Sequence, residues 1–338
     1  MSRYGRMPDY ASAMAVSILI AFDGSAAAES AMRAAAALFP GARTTVLTIH
    51  EPVIGPVTAF RAGGGLMSPE IVEQSVTGLE GELVAEAEAA AAEGARLAGA
   101  LGLVAEPAVA RGARQPWEPI LAAAAERGVD VVVCGSRGQG AVARSVLGST
   151  SSSLLHHAAG AVLVVPEAEA PPDGPALIAY DGSPAAREAI AAAGRLLPGR
   201  AALVVHAWES PYRRSLSGRA LSGAPLPEIR EVTGDLETWL RETAEATVEE
   251  AVELARAAGL EAGGEAVESG STAWRVLAAT AETRDAAVVI TGSQGHGAVA
   301  SVLLGSVSSG LVHHAERPTL VVREPAPSGA GPRPQVVP

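Results

Sequence analysis

Two stretches carry residue types whose spacing could do chemistry: "GSRGQGAVARSVLGS" at 135–149 and "GSQGHGAVASVLLGS" at 292–306. Each follows a short apolar run and leads into a serine-rich stretch. Glycine lets a backbone N–H approach a ligand with no Cβ in the way, and a helix N-terminus offers unpaired donors to anionic oxygens. Gly135 after a buried strand, Gly138 allowing a turn with positive φ, and Gly148-Ser149 at the start of a helix therefore suit a phosphate group. The hydroxyls of Ser149, Thr150, Ser151, Ser152 and Ser153, and of Ser306, Ser308 and Ser309, add donors beside them. The blander alternative is that the glycines close tight turns and Ser149 caps a helix.

Two familiar phosphate loops do not fit. The first loop follows the fourth strand of its half, and its third glycine stands ten residues after the second, unlike the dinucleotide fingerprint. A Walker loop needs a lysine, and every one of the 25 basic residues is arginine. The same absence excludes Schiff-base chemistry.

Other constellations are weaker. His156-His157 and His313-His314 are neighbours on expected helices, about 100° apart, and do not chelate one ion together. Placement near a helix C-terminus or partial burial explains them better. Trp117 and Trp274 stand at matching places and read as core anchors. Cys134 is the only cysteine, so a disulfide framework within the chain is excluded, and its apolar surroundings suggest a buried, inert thiol. No Ser–His–Asp order or paired glutamates stand out, and no catalytic residue is assigned. Near the glycine loops only Arg137, Gln139, Arg144 and His296 could assist phosphoryl transfer. The long loops at 60–70 and 211–228 could act as lids, with Arg213 and Arg214 able to reach phosphates, though solvated loops are the simpler expectation.

These residues must be positioned by something, and the chain supplies it twice. Residues 19–41 match 177–199 at 14 of 23 positions with an offset of 158; residues 133–157 match 290–314 at 15 of 25 with an offset of 157. The 338 residues therefore form two tandem copies of one domain, each of roughly 150 residues. The boundaries read as a disordered tail at 1–15, domain 1 at 16–166, a Pro- and acid-rich linker at 167–175, domain 2 at 176–324 and a disordered tail at 325–338.

In copy one, strands are expected at 16–21, 44–49, 103–110, 129–134 and 161–165, alternating with helices at 26–38, about 70–99, 116–127 and 148–158. Apolar strands alternating with helices make an α/β fold: two Rossmann-like domains, each a five-stranded parallel sheet with helices on both faces. Ligands bind such sheets at the strands' carboxyl ends, where strand order reverses. Asp23-Gly24-Ser25 after the first strand should therefore meet the glycine loop after the fourth.

Composition bounds the partners. The net charge of −12 and dispersed arginines disfavour nucleic acid, and 48% hydrophobic residues with 3% aromatics suit two cores filled by Val, Leu, Ile and Ala. Neither a membrane-length apolar run nor the apolar core of a signal peptide is visible, so a cytoplasmic location is expected.

The arrangement Gly135-x2-Gly138-x9-Gly148-Ser149, repeated as Gly292-x2-Gly295-x9-Gly305-Ser306, resembles the ATP-binding signature of the universal stress protein family. "AFDGS" and "AYDGS" after the first strands, and "VLVVP" and "TLVVR" at the last, extend the likeness over both halves. The resemblance implies ATP with Mg2+ as ligand, with Asp23 and Asp181 meeting the ribose or the metal. It implies backbone contact to adenine at Ile49 and Ala207. Phosphate contacts would come from Gly135, Gly138, Gly148, Ser149 and Thr150 in copy one, and from Gly292, Gly295, Gly305, Ser306 and Ser308 in copy two. Val307 stands where copy one has Thr150, one hydroxyl fewer, although family members often carry Val there. The implied function is a nucleotide-responsive regulator with slow or no hydrolysis. The alternatives are a phosphoryl- or adenylyl-transfer enzyme in the same pockets, or a partner-binding protein with vestigial sites. The last strands, Val162–Val165 and Thr319–Val322, are the expected edges for an internal pseudo-dimer, and chains are expected to associate further as homodimers.

Overall fold

The structure, a computed structural model, describes residues 16–52, 69–112, 115–138, 147–210, 227–295 and 304–323. In the first half, strands β1 (Ser17–Ala21), β2 (Arg43–His50), β3 (Val104–Arg111), β4 (Val131–Gly135) and β5 (Ala161–Val165) alternate with helices α1 (Ala26–Leu38), α2 (Pro69–Ala100), α3 (Trp117–Arg127) and α4 (Ser149–His157). The second half repeats the order. It has β6 (Ala176–Ala179), β7 (Ala201–Trp208), β8 (Glu261–Glu268), β9 (Val288–Gly292) and β10 (Thr319–Val322), with α5 (Pro184–Leu196), α6 (Pro227–Ala257), α7 (Ala273–Thr283) and α8 (Ser306–His314). The tails, and most of the two long loops with Arg213 and Arg214, lie outside the described residues, as do Gln139, Arg144 and His296.

Local sequence explains these elements. Alanine, the best helix former, is abundant in α1, α2 and α5. Ser25 and Ser183 cap α1 and α5 by accepting the amides of Ala28 and Ala186, both at 3.2 Å. Gly128, at φ 58°, ends α3 in the left-handed conformation that glycine adopts without cost. Strand β4 is buried throughout, as a parallel strand covered on both faces must be. No helix among the described residues is long and apolar enough to cross a membrane.

All ten strands form one sheet in the order β3-β2-β1-β4-β5-β10-β9-β6-β7-β8. Within each half the pairing is parallel, and strand order reverses beside β1 and beside β6. The halves join through one antiparallel pair, β5 with β10, as the edge-strand expectation required. Its register sets Leu163 opposite Leu320, its own counterpart at the 157-residue offset, with Thr319 opposite Val164 and Val321 opposite Val162. A pseudo-two-fold axis therefore runs through the Leu163–Leu320 pair, and the joint is self-complementary like an isologous dimer interface. One core continues across the joint on the face covered by α1, α2, α5 and α6.

Arginines of the second half reach across the connections. Arg200 donates to the carbonyls of Pro172 and Gly174, fixing the linker between the halves. Arg323, just past β10, donates to the carbonyls of His156 at 2.7 Å and Leu155 at 3.0 Å, at the C-terminal end of α4.

Leu163 is fully buried and Leu320 is 1% exposed, so truncating either removes packing that the joint cannot replace. Leu163→Ala and Leu320→Ala should each lower unfolding free energy by about 2–5 kcal/mol in urea titrations. A loss below the cost of an exposed substitution would mean the two halves do not share this core.

Candidate functional site

Each half carries a cleft where its strand order reverses. The first, of about 750 Å³, gathers Asp23, Ile49, Gly135, Gly138, Gly148, Ser149 and Thr150, every site residue expected in copy one. The second, of about 550 Å³, gathers Asp181, Ala207, Gly292, Gly295, Gly305, Ser306, Val307 and Ser308. Both volumes suit a small-molecule ligand.

The aspartates are held by the turn that follows the first strand of each half. Asp23 Oδ1 accepts the Ser25 amide at 3.0 Å, and Asp181 Oδ1 accepts the Ser183 amide at 2.9 Å. The intervening glycines, Gly24 at φ 74° and Gly182 at φ 82°, make the turn possible. Gly138 does not adopt the positive φ that the sequence allowed it. Its reason for being glycine is space: a Cβ there would stand 2.9 Å from Asp23 Oδ2, and one at Gly295 would stand 2.6 Å from Asp181 Oδ2. Residues 115 positions apart thus face each other across the cleft.

Gly135 serves packing first. A Cβ on it would lie 2.9 Å from the backbone of Ala27 in the first turn of α1, and on Gly292 it would lie 2.7 Å from that of Ala185. This close approach sets the two loops beside one another. Gly148 and Gly305 are the N-cap residues of α4 and α8, so Ser149 is the first helical residue and not the cap. Neither glycine supplies a capping side chain, which leaves the first-turn amides directed at the cleft. The cap glycines are themselves tied back: Gly148 N–H donates to Ser136 O, and Gly305 N–H to Ser293 O, both at 2.8 Å.

Some hydroxyls are already engaged. Ser151 Oγ donates to Gly135 O at 2.7 Å. Ser308, 1% exposed, hydrogen-bonds Ser293 O at 3.2 Å and Gly305 O at 3.1 Å. Both tie their helix to the preceding strand, which leaves Ser149, Thr150 and Ser306 as the less committed hydroxyls. Arg137 lines the first cleft and pairs with Glu167 at 3.3 Å; Gln294 takes its place in the second. Cys134 is buried, and desolvation pushes its thiol up to about 12, against a smaller opposing effect of the Ser151 hydrogen bond. It is inert at neutral pH, as its apolar setting suggested.

The histidine pairs have a packing role. His157 stacks on Trp117 at 4.2 Å and 12°, and His314 on Trp274 at 4.7 Å and 22°, joining α3 to α4 and α7 to α8. Gly310 admits the second contact, since a Cβ there would stand 2.3 Å from the Trp274 ring. Among the described residues no cluster of three or more His, Cys, Asp or Glu could hold a metal ion. The exposed aspartate of each cleft, Asp23 or Asp181, beside phosphate-type donors, does fit Mg2+ held chiefly through a ligand's phosphates.

Two features of the first cleft were not singled out from sequence: Thr48 and His50, on β2, line it as well. Both are buried, and neither Thr48 Oγ1 nor His50 Nε2 has a hydrogen-bond partner among the described residues. Their alternation along β2 was the only available signal, and it reads equally as one face of a buried strand.

A doubly wound half with a polar cleft at its switch point defines a Rossmann-like fold, here present twice. The model of the universal stress protein family matches residues 14–166 and again 174–323, and the chain belongs to that family. A universal stress protein of Mycolicibacterium smegmatis is 33% identical over 218 residues, 59% of this chain and 63% of the relative. One from Mycobacterium tuberculosis is 35% identical over 216 residues, 59% of this chain and 60% of the relative. The matches therefore span less than two thirds of these relatives' length. A solved universal stress protein from Archaeoglobus fulgidus shares the fold at 19% identity and a TM-score of 0.55, covering 91% of this chain and 98% of that one.

The glycines make separable demands. Gly135→Ala and Gly292→Ala press on helix backbone and should each cost about 1–3 kcal/mol of stability. Gly138→Ala meets only the end of the Asp23 side chain and should leave the unfolding free energy within about 0.5 kcal/mol of the parent in urea titrations. Equal losses at 135 and 138 would refute the packing account.

Proposed function

We propose that the chain is an ATP-binding, nucleotide-responsive regulator of stress adaptation that acts in the cytoplasm, one nucleotide with Mg2+ in each cleft. The observation that carries this reading is the convergence, in both halves, of an aspartate, a glycine loop and an uncapped helix N-terminus in one cleft. Backbone amides and the helix dipole suit phosphate oxygens, and the aspartate suits a ribose hydroxyl or the metal. Ile49 and Ala207 would offer their backbone to adenine. Gly138, Gly148, Ser149 and Thr150, and Gly295, Gly305, Ser306 and Val307, would surround the phosphates. Calorimetric titration with ATP should give a stoichiometry near two. Gly148→Val and Gly305→Val should each remove one site with the fold intact; unchanged binding of two ATP by both variants would misplace the phosphates.

Turnover should be slow. Phosphoryl transfer needs charge neutralisation beyond backbone donors, and the cations near the loops differ between copies, Arg137 against Gln294. A group required at the transition state would be retained in both copies if both were catalytic. ATP then acts by stabilising one conformation or association state, including a homodimer, through differential binding. Steady-state hydrolysis with Mg2+ should fall below the ~1–100 s⁻¹ typical of kinases. Fast turnover lost in Asp23→Ala/Asp181→Ala would make the chain an ATPase instead.

A further inference from the structure

The two clefts are built from matching elements, yet they differ on one side. In the first, Leu83, Glu86, Ala87 and Ala90 of α2 join Thr48 and His50 to form a lobe beneath that helix. Their counterparts on α6, Leu240, Thr243, Ala244 and Thr247, are not among the residues lining the second cleft.

Chemistry follows the same division. In the second half the matching strand position is satisfied within the protein, and the Tyr180 hydroxyl beside it is held by residues outside the cleft lining. His206, the counterpart of Thr48, donates from Nδ1 to the Tyr180 carbonyl at 2.8 Å. Tyr180 Oη donates to Glu250 at 3.3 Å, and Arg187 bridges to both. Trp208 replaces His50. In the first half Phe22 stands for Tyr180 and has no hydroxyl, while Thr48 Oγ1 and His50 Nε2, on residues 7% and 5% exposed, have no hydrogen-bond partner among the described residues. A buried polar atom without a partner is costly, and one at a ligand cleft is relieved when a ligand supplies the missing group.

The sign of that group can be read from its surroundings. Glu51 and Glu86 flank the lobe, and no arginine is among its described lining residues; Arg137 and the α4 N-terminus lie toward the phosphate loop. Two carboxylates thus flank the lobe, while Arg137 and the helix amides gather beside Asp23 at the other end of the cleft. N–H groups are favoured in the lobe, and a keto oxygen is repelled by the carboxylates.

Resting on the nucleotide reading above, we propose that this lobe is a base-reading subsite in which Thr48 and His50 hydrogen-bond the amino edge of a 6-aminopurine nucleotide. The second cleft lacks it and discriminates less. The chain therefore holds one selective and one permissive site.

The test compares ATP with ITP, both with Mg2+, on the full chain by calorimetry. Gly305→Val leaves the first cleft, which should prefer ATP by about tenfold or more. Gly148→Val leaves the second, where the preference should be less than about threefold. Thr48→Val/His50→Phe in the Gly305→Val background should bring the ratio down to that of the second cleft, with thermal unfolding checking that the variant folds. Equal ATP-to-ITP ratios in the two single-cleft chains, which touch no lobe residue, would overturn the inference while leaving nucleotide binding intact. A parent chain that binds neither nucleotide overturns the nucleotide reading, and this inference with it.

Discussion

Everything at the two clefts depends on one distance of closest approach. The ends of β4 and β9 pass so near the first turns of α1 and α5 that a single methyl group on Gly135 or Gly292 would overlap helix backbone. That contact fixes where the helix begins relative to the fourth strand, and so brings Asp23 and Asp181 under Gly138 and Gly295. Residues far apart in sequence then form one polar surface without any long side chain reaching across. Ser151 and Ser308 reinforce the arrangement from the other side by tying α4 and α8 to the same segments. A cleft lined by backbone in this way has fewer long side chains to order when a ligand arrives, which reduces the ordering cost of binding.

Much of this was legible in the chain. The repeat, the alternation of strand and helix, and the pairing of the last strands follow from periodicity and internal identity, and α1 and β5 begin and end where the pattern places them. Every expected site residue lies in one of the two clefts, because the glycine loop and the aspartate turn are short motifs whose strand-end positions the fold class dictates. The reason for Gly138 was less visible. Sequence shows that a side chain is missing and does not show whether conformation or a neighbour forbids it, and here the neighbour is a carboxylate 115 residues away. Thr48 and His50 escaped notice because a polar residue in a strand gains meaning only from what fails to face it.

The duplication also carries its own comparison. Trp117 on His157 and Trp274 on His314 show a packing device kept in both copies. The Tyr180–Glu250–Arg187 cluster shows a hydrogen-bonded assembly present in the second half and absent from the first, where Phe22 has no hydroxyl and Glu29 and Glu93 pair with Arg33 and Arg96. Differences between the halves thus point to where their tasks diverge, with shared elements as the internal control.

The guanidinium of Arg323 on the carbonyls of Leu155 and His156 breaks the symmetry of the pseudo-two-fold axis. Its counterpart at the 157-residue offset is Pro166, which has no donor to offer the end of α8. The dependence runs one way: the second half finishes the first, and the first does not return the favour. Two equal units joined end to end can in principle be swapped, or either one doubled, but these have become a left and a right hand. A chain carrying the first half twice would end the last turn of α4 on water, while the natural order ends it on arginine.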